Sequence, residues 1–139
     1  MKGKFKIFPE LRLIVACFTG TTVSEDIIQW FDEASNHPEF SKEYQGLVDC
    51  RKALFGNELR DKPREMAKKA CELVEYMVKI DFTSANWAIL VDSPMETSLS
   101  MLYSMGASQK HPIEIYSTVE AAEEYLGIPL QDALQELDS

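Results

Sequence analysis

Five short runs of apolar or alternating residues along the chain predict β-strands. The first alternates lysine with apolar side chains, which is typical of an edge strand with one solvent-exposed face. The fourth is apolar throughout and β-branched at two positions, as a strand buried on both faces requires. Only Pro9 and Glu10 separate the first two runs, so we expect an antiparallel hairpin there. The predicted strands cover residues 4–8, 11–18, 46–50, 88–91 and 112–116.

Helical patterns fill most of the intervals between these strands. A capping box, with Ser or Thr followed three positions later by Glu, satisfies the first amides of a helix. This signature occurs at 22–25, 93–96 and 117–120. Another segment, from near Pro63 to about Ile80, repeats apolar side chains at three- and four-residue steps. The predicted helices cover residues 23–34, 63–80, 95–105, 118–126 and 129–137.

The resulting order is β-β-α-β-α-β-α-β-α, followed by a short C-terminal helix. It predicts an α/β fold in which a hairpin leads into parallel β-α units, and right-handed crossovers close these into one mixed five-stranded sheet. A length of 139 residues, 45% of them hydrophobic, is enough for a core without disulfides or metals. We therefore expect a single domain spanning residues 1–139.

Charge is distributed unevenly along the chain. The net charge is −9, from 14 basic and 23 acidic side chains. Residues 1–69 hold 12 basic and 11 acidic side chains, a balance of +1, whereas residues 70–139 hold 2 and 12, a balance of −10. Phosphate backbones and anionic membranes require a cationic footprint. This composition therefore argues against nucleic-acid and membrane-surface binding.

The predicted location is the cytoplasm. No apolar run approaches the ~20 residues that a membrane span needs, and the N-terminal residues predict a strand rather than a signal peptide. The three cysteines form no closely spaced pair, which favours buried thiols in a reducing compartment. They are Cys17, Cys50 and Cys71.

Three segments together resemble the SpoIIAA-like proteins, small bacterial relatives of the STAS domains and, more distantly, of the SEC14 lipid-binding fold. These segments read Val-Asp-Cys-Arg at 48–51, Trp-Ala-Ile-Leu-Val at 87–91, and a strand followed by an alanine-containing helix at 115–126. The resemblance implies a STAS-type fold over nearly the whole chain. It also implies a protein that regulates others by contact.

The chain departs from that family at one functional position. Anti-sigma-factor antagonists carry a phosphorylatable serine where the third strand meets the second helix. The matching stretch here reads Asp-Cys-Arg-Lys-Ala-Leu at 49–54 and contains no hydroxyl side chain. The resemblance therefore does not extend to a phosphorylation switch at this place.

The best candidate ligand site is the basic segment 51–69. It carries seven basic and three acidic side chains, a local excess of +4, and follows a strand that we expect to be parallel. Crevices outside the carboxyl ends of such strands commonly bind ligands, and helix N-termini favour anions. The alternative is a solvated charged loop. The predicted ligand-binding residues are Asp49, Arg51, Arg60, Arg64, Asp92 and Ser93.

Several other chemistries are weaker alternatives. Asp49 and Asp92 end neighbouring predicted strands and could form a catalytic carboxylate pair, or they could simply pair with Arg51 and cap a turn. Cys50 lies beside two basic residues that favour a thiolate, but no histidine is near in sequence. We therefore assign no catalytic residue, no metal site and no cofactor.

The helix at 95–105 contains more apolar residues than one core-facing stripe needs. Methionine-rich surfaces suit adaptable contacts, so we expect part of this helix to form an interaction surface that includes a homodimer contact. The residues concerned are Met95, Met101, Tyr103 and Met105.

The sequence therefore favours a non-enzymatic binding or regulatory module that acts through protein contacts or a small anionic or apolar ligand. Two alternatives stay open. One is a small enzyme that acts on a phosphorylated or carboxylated substrate with Asp49, Asp92 and the basic loop. The other is a carrier of an apolar ligand or lipid, which the SEC14 likeness implies.

Overall fold

The computed structural model describes residues 3–22, 24–55, 85–92 and 113–138, together with single helical positions at 64, 65, 68, 72, 75 and 76. These residues form five strands and three helices, and a 3₁₀ turn at Pro9–Leu11 joins the first two strands. The strands are β1 (Gly3–Phe8), β2 (Leu13–Thr22), β3 (Gln45–Phe55), β4 (Trp87–Leu90) and β5 (Ile113–Tyr116). The helices are α1 (Ser24–Ser35), α2 (Val119–Leu126) and α3 (Gln131–Asp138).

The five strands form one mixed sheet in the sequential order β1-β2-β3-β4-β5. β1 runs antiparallel to β2, and the later pairs are parallel. The turn between β1 and β2 closes at Arg12, whose φ is 52° and whose amide donates to the carbonyl oxygen of Pro9. The predicted α/β class, the mixed sheet and the N-terminal hairpin are therefore confirmed.

One face of the sheet packs against α1 and is rich in aromatic side chains. Trp30 of α1 meets Phe18 and Trp87 nearly edge-on, with ring centroids 5.8 Å and 5.9 Å away. Tyr76, one of the single helical positions, stacks on Phe31 at 6.4 Å. Tyr76 belongs to the segment predicted as a helix between the third and fourth strands, so part of that segment covers the same face as α1.

The opposite face is aliphatic and packs against α2 and α3. Four leucines from β2, β3, β4 and the position just before α3 are completely buried here: Leu13, Leu47, Leu90 and Leu130. Gln45 Nε2 donates to the carbonyl oxygen of Leu126 at 2.9 Å, which fixes the end of α2 against the start of β3. An ion pair between Lys6 and Glu136 joins β1 to α3.

β4 lies between two strands and under both layers, so every one of its residues is buried. Each of its side chains meets a core, because alternate residues point to opposite faces. Trp87 and Ile89 belong to the aromatic core, and Ala88 and Leu90 to the aliphatic core. This confirms the prediction of a strand buried on both faces.

β3 does not end where the sequence predicts. The strand was expected to stop at Cys50 because charged residues follow, but it continues to Phe55 and pairs with β2 as far as Thr22. The first residues of the predicted charged loop are therefore part of a strand.

The order of elements also differs from the prediction. In the described residues it is β-β-α-β-β-β-α-α. The helix predicted at 95–105 lies outside these residues, and of the helix predicted at 63–80 only the single positions named above are described.

Two of the predicted helix starts need correction. Thr22 ends β2, and its hydroxyl donates to the carbonyl oxygen of Gly20 instead of capping α1. At α2 the N-cap is Thr118, whose side chain accepts from the amide of Ala121, and not Ser117. The capping box at 93–96 lies outside the described residues.

Candidate functional site

A β-bulge lies in β3 at the level where β4 ends. Cys17 pairs with Asp49, but the next pair joins Thr19 to Lys52. One residue of β2 therefore stands opposite two of β3, Cys50 and Arg51. Such an extra residue shifts the alternation of side chains and leaves a backbone group outside the ladder. The shift explains why Cys50 and Ala53, three positions apart, both face the aromatic core.

Asp49 binds Arg51 at this bulge through three hydrogen bonds. The Arg51 amide donates to Asp49 Oδ1 at 3.1 Å, Nε donates to Oδ1 at 2.9 Å, and Nη2 donates to Oδ2 at 2.9 Å. The Asp49 side chain is only 9% exposed, whereas that of Arg51 is 34% exposed. A buried carboxylate needs such partners, and at this bulge Arg51 supplies them.

This pairing limits what Asp49 can do chemically. Both of its oxygens already accept hydrogen bonds from Arg51, so a general-base role would require the pair to open first. The bidentate contact fixes the plane of the guanidinium. The arrangement therefore favours Asp49 as the group that positions Arg51.

Asp92 lies two residues beyond Leu90, the β4 residue that pairs with Asp49. Asp49 is in register with Leu90 of β4, and the Val91 amide still donates to β5 at the Tyr116 carbonyl oxygen. Strand spacings of about 4.8 Å across and about 3.3 Å along the sheet place the Cα atoms of Asp49 and Asp92 roughly 8 Å apart. Asp92 is exposed. Asp92 follows the end of β4 as predicted, but Asp49 lies within β3 and not at its tip.

The other predicted ligand residues are only partly described. Arg64 has helical backbone and an exposed side chain. Arg60 and Ser93 lie outside the described residues, as do all four members of the predicted interaction surface: Met95, Met101, Tyr103 and Met105.

The cysteines lie in the two cores. Cys50 is 3% exposed and belongs to the aromatic core, on the face opposite Asp49. Cys17 is buried in the aliphatic core, and Cys71 lies outside the described residues. Among the residues that the structure describes, no group of three or more His, Cys, Asp or Glu side chains could hold a metal ion.

A second polar cluster joins β5 to α2, and sequence reasoning missed it. The Tyr116 and Tyr125 rings lie 5.6 Å apart between centroids, at 46°. Burial raises the pKa of both phenols, and the Glu114 carboxylate raises both further. We call this cluster, with exposed Glu124, the tyrosine–glutamate surface. The sequence feature that could have pointed to this surface is the absence of any basic residue in the stretch 113–138.

No protein-family model matches this chain, and a search of curated proteins finds no significant match. The SpoIIAA-like resemblance therefore rests on the residues quoted above and stays a prediction. None of the helices in the described ranges is long and apolar enough to cross a membrane.

Proposed function

We propose that this chain is a non-enzymatic binding or regulatory module with a SpoIIAA-like, STAS-type fold. It acts through contact with a partner protein or a small anionic ligand at the β3 bulge, beside the carboxyl end of β4. The observation that carries this proposal is the Arg51 guanidinium, which Asp49 holds in a fixed plane while 34% of the side chain stays exposed.

A fixed guanidinium is well suited to recognise carboxylates and phosphates. Arg has five N–H donors in a rigid fork, which matches the geometry of carboxylates and phosphates. The side-chain entropy lost on binding is smaller when the fork is already held in place. Lys52, exposed on the next position of the strand, adds a second positive charge. The ligand expected here is therefore anionic.

The fold supports a module that needs no phosphorylation switch. The stretch that corresponds to the family's phosphoserine motif forms the bulge and the continuing ladder with β2. Asp49 is engaged in that bulge. We infer that regulation of this module occurs through ligand or partner binding. The buried positions of Cys17 and Cys50 suit the reducing cytoplasm proposed for it.

The test is an amide NMR titration of the full chain with inorganic phosphate and, separately, with a glutamate-rich peptide. We expect shifts centred on the amides of residues 49–52. Arg51→Lys keeps the charge but loses the planar fork, and we expect it to weaken binding about tenfold. Arg12→Lys is the matched control, because Arg12 is exposed and precedes β2 at the other end of the sheet.

Two outcomes contradict the proposal. One is unchanged anion binding in folded Arg51→Lys. The other is the absence of shifts at 49–52 with either probe, combined with turnover of a phosphorylated or carboxylated substrate that is lost in Asp92→Asn. Native mass spectrometry of gently purified protein then identifies any apolar ligand.

A further inference from the structure

The tyrosine–glutamate surface lies where edge strand β5 meets α2. β5 is the last strand of the sheet, and within the described ranges it pairs with β4 alone. Glu114 and Tyr116 are two positions apart on β5, so their side chains leave the same face of the sheet. Tyr125, on α2, packs against the Tyr116 ring from that face.

Two aromatic rings here lie next to two carboxylates. Both tyrosines are partly exposed, and Glu114 and Glu124 are exposed. After burial, the Glu114 and Glu124 carboxylates are the next causes that raise the pKa of Tyr116. The negative charge therefore lies close enough to the rings to act on them. Aromatic faces and carboxylates each attract cations, the first through the ring quadrupole and the second through charge-assisted hydrogen bonds.

The described segment that carries this surface supplies no cation of its own. Residues 113–138 contain no lysine, arginine or histidine. Their acidic side chains are Glu114, Glu120, Glu123, Glu124, Asp132, Glu136 and Asp138. Lys6 reaches this segment from β1, but it pairs with Glu136 on α3.

We propose that the tyrosine–glutamate surface binds an extended basic segment of a partner protein along the edge of β5. A lysine or arginine of the partner lies over the Tyr116 and Tyr125 rings and pairs with the two glutamates. The backbone of the segment adds to β5 as a further strand, a common mode of peptide recognition. This site differs from the Arg51 site in position and in the sign of its charge, and the proposal is independent of it.

A second copy of the chain fits this surface less well than a separate partner. Each copy carries a net charge of −9, so two copies repel one another. On the β1 edge of each copy, Lys6 is already engaged in the ion pair with Glu136. Charge complementarity therefore favours a basic segment from another protein.

The test uses the full chain and a synthetic peptide in which lysine alternates with valine. We expect amide shifts in 113–116 and 121–125, and weaker binding at high salt. Glu114→Gln/Glu124→Gln should weaken binding about tenfold. The control, Glu10→Gln/Glu39→Gln, removes the same charge from exposed carboxylates elsewhere and should bind as the native chain does.

A second pair of variants tests the rings. Tyr125→Phe keeps the aromatic face and should retain binding, whereas Tyr125→Leu should lose most of it. Thermal unfolding of each variant identifies those that do not fold.

Three results would overturn the proposal. Equal losses of peptide binding in the two glutamine double variants would mean that the peptide is attracted to the net charge of −9 in general and not to this surface. Peptide-induced shifts confined to other parts of the sheet would place the site elsewhere. Self-association of the protein alone that Glu114→Gln/Glu124→Gln abolishes would make a second copy the occupant.

Discussion

The indole ring of Trp87 lies directly over the backbone of Gly46. The two residues pair in the β3–β4 ladder, and a Cβ at position 46 would lie less than 3.0 Å from three atoms of the indole. A backbone hydrogen bond holds this position, since the Gly46 amide donates to the carbonyl oxygen of Asn86. The aromatic core therefore requires glycine at position 46 because Trp87 occupies the space of a side chain.

Gly46→Ala should destabilise the fold by about 2–4 kcal/mol, because the added methyl group forces Trp87 out of a packed position. Urea unfolding followed by tryptophan fluorescence measures the change. Gly46→Ala combined with Trp87→Phe should recover part of the loss, since the smaller ring leaves room for the methyl group. Equal stability of Gly46→Ala and the native chain would contradict this packing.

Asp49 and Arg51 should be strongly coupled in a double-mutant cycle. Arg51→Ala leaves the buried carboxylate without its guanidinium partner, and we expect the free energy of unfolding to fall by about 2–3 kcal/mol. This is less than for a fully buried pair because Arg51 is partly exposed. Asp49→Ala/Arg51→Ala should cost clearly less than the sum of the single variants. If the losses in free energy of unfolding measured in urea are additive, the contact between the two side chains does not stabilise the bulge.

Local patterns were sufficient to predict much of the sheet. The alternating lysines identified β1 as an edge strand, and the apolar run before Asp92 identified the buried β4. Both predictions depend on side-chain periodicity, which the chain carries residue by residue. The antiparallel start of the sheet also followed from a short turn with a proline.

The bulge in β3 could not be predicted from these patterns. A run of charged residues normally indicates a loop, but here the Asp49 carboxylate satisfies the Arg51 amide and the strand continues. That contact depends on the ladder with β2, which sequence periodicity does not report.

The candidate surfaces were predictable to different degrees. The basic composition after Asp49 pointed to Arg51, although not to its pairing geometry. Tyr116 and Tyr125 come together only because β5 and α2 pack on one another. Contacts of that kind depend on tertiary structure, so the sequence did not predict either tyrosine as a site residue.

Thr118 should contribute to stability as the N-cap of α2, whereas its neighbour Ser117 should not. The Thr118 hydroxyl accepts from the Ala121 amide at 3.2 Å, and loss of such a cap costs about 1 kcal/mol. Thr118→Ala should therefore lower the free energy of unfolding by about that amount, and Ser117→Ala should leave it unchanged. The reverse result in chemical denaturation would move the start of α2 by one residue.

Stability should fall with rising pH in the alkaline range because of the tyrosine–glutamate surface. The pKa values of Tyr116 and Tyr125 are raised above the ordinary 10.0, first by burial and then by neighbouring groups that include Glu114. The unfolded chain then loses these protons at lower pH than the folded chain does. The stabilisation is fully present below pH 10.0 and is lost as the pH rises through the folded pKa values.

The measurement is an NMR titration of the tyrosine ring resonances in the folded protein, which separates Tyr116 and Tyr125 from the other tyrosines. It is combined with urea unfolding across the same pH range. Glu114→Gln should lower the pKa of both tyrosines towards 10.0 without reaching it, because the burial contribution remains. Glu10→Gln, at the turn between β1 and β2, should leave both titrations unchanged. Ordinary titration of Tyr116 and Tyr125 in the native chain would mean that the rings are more open to water than their packing indicates.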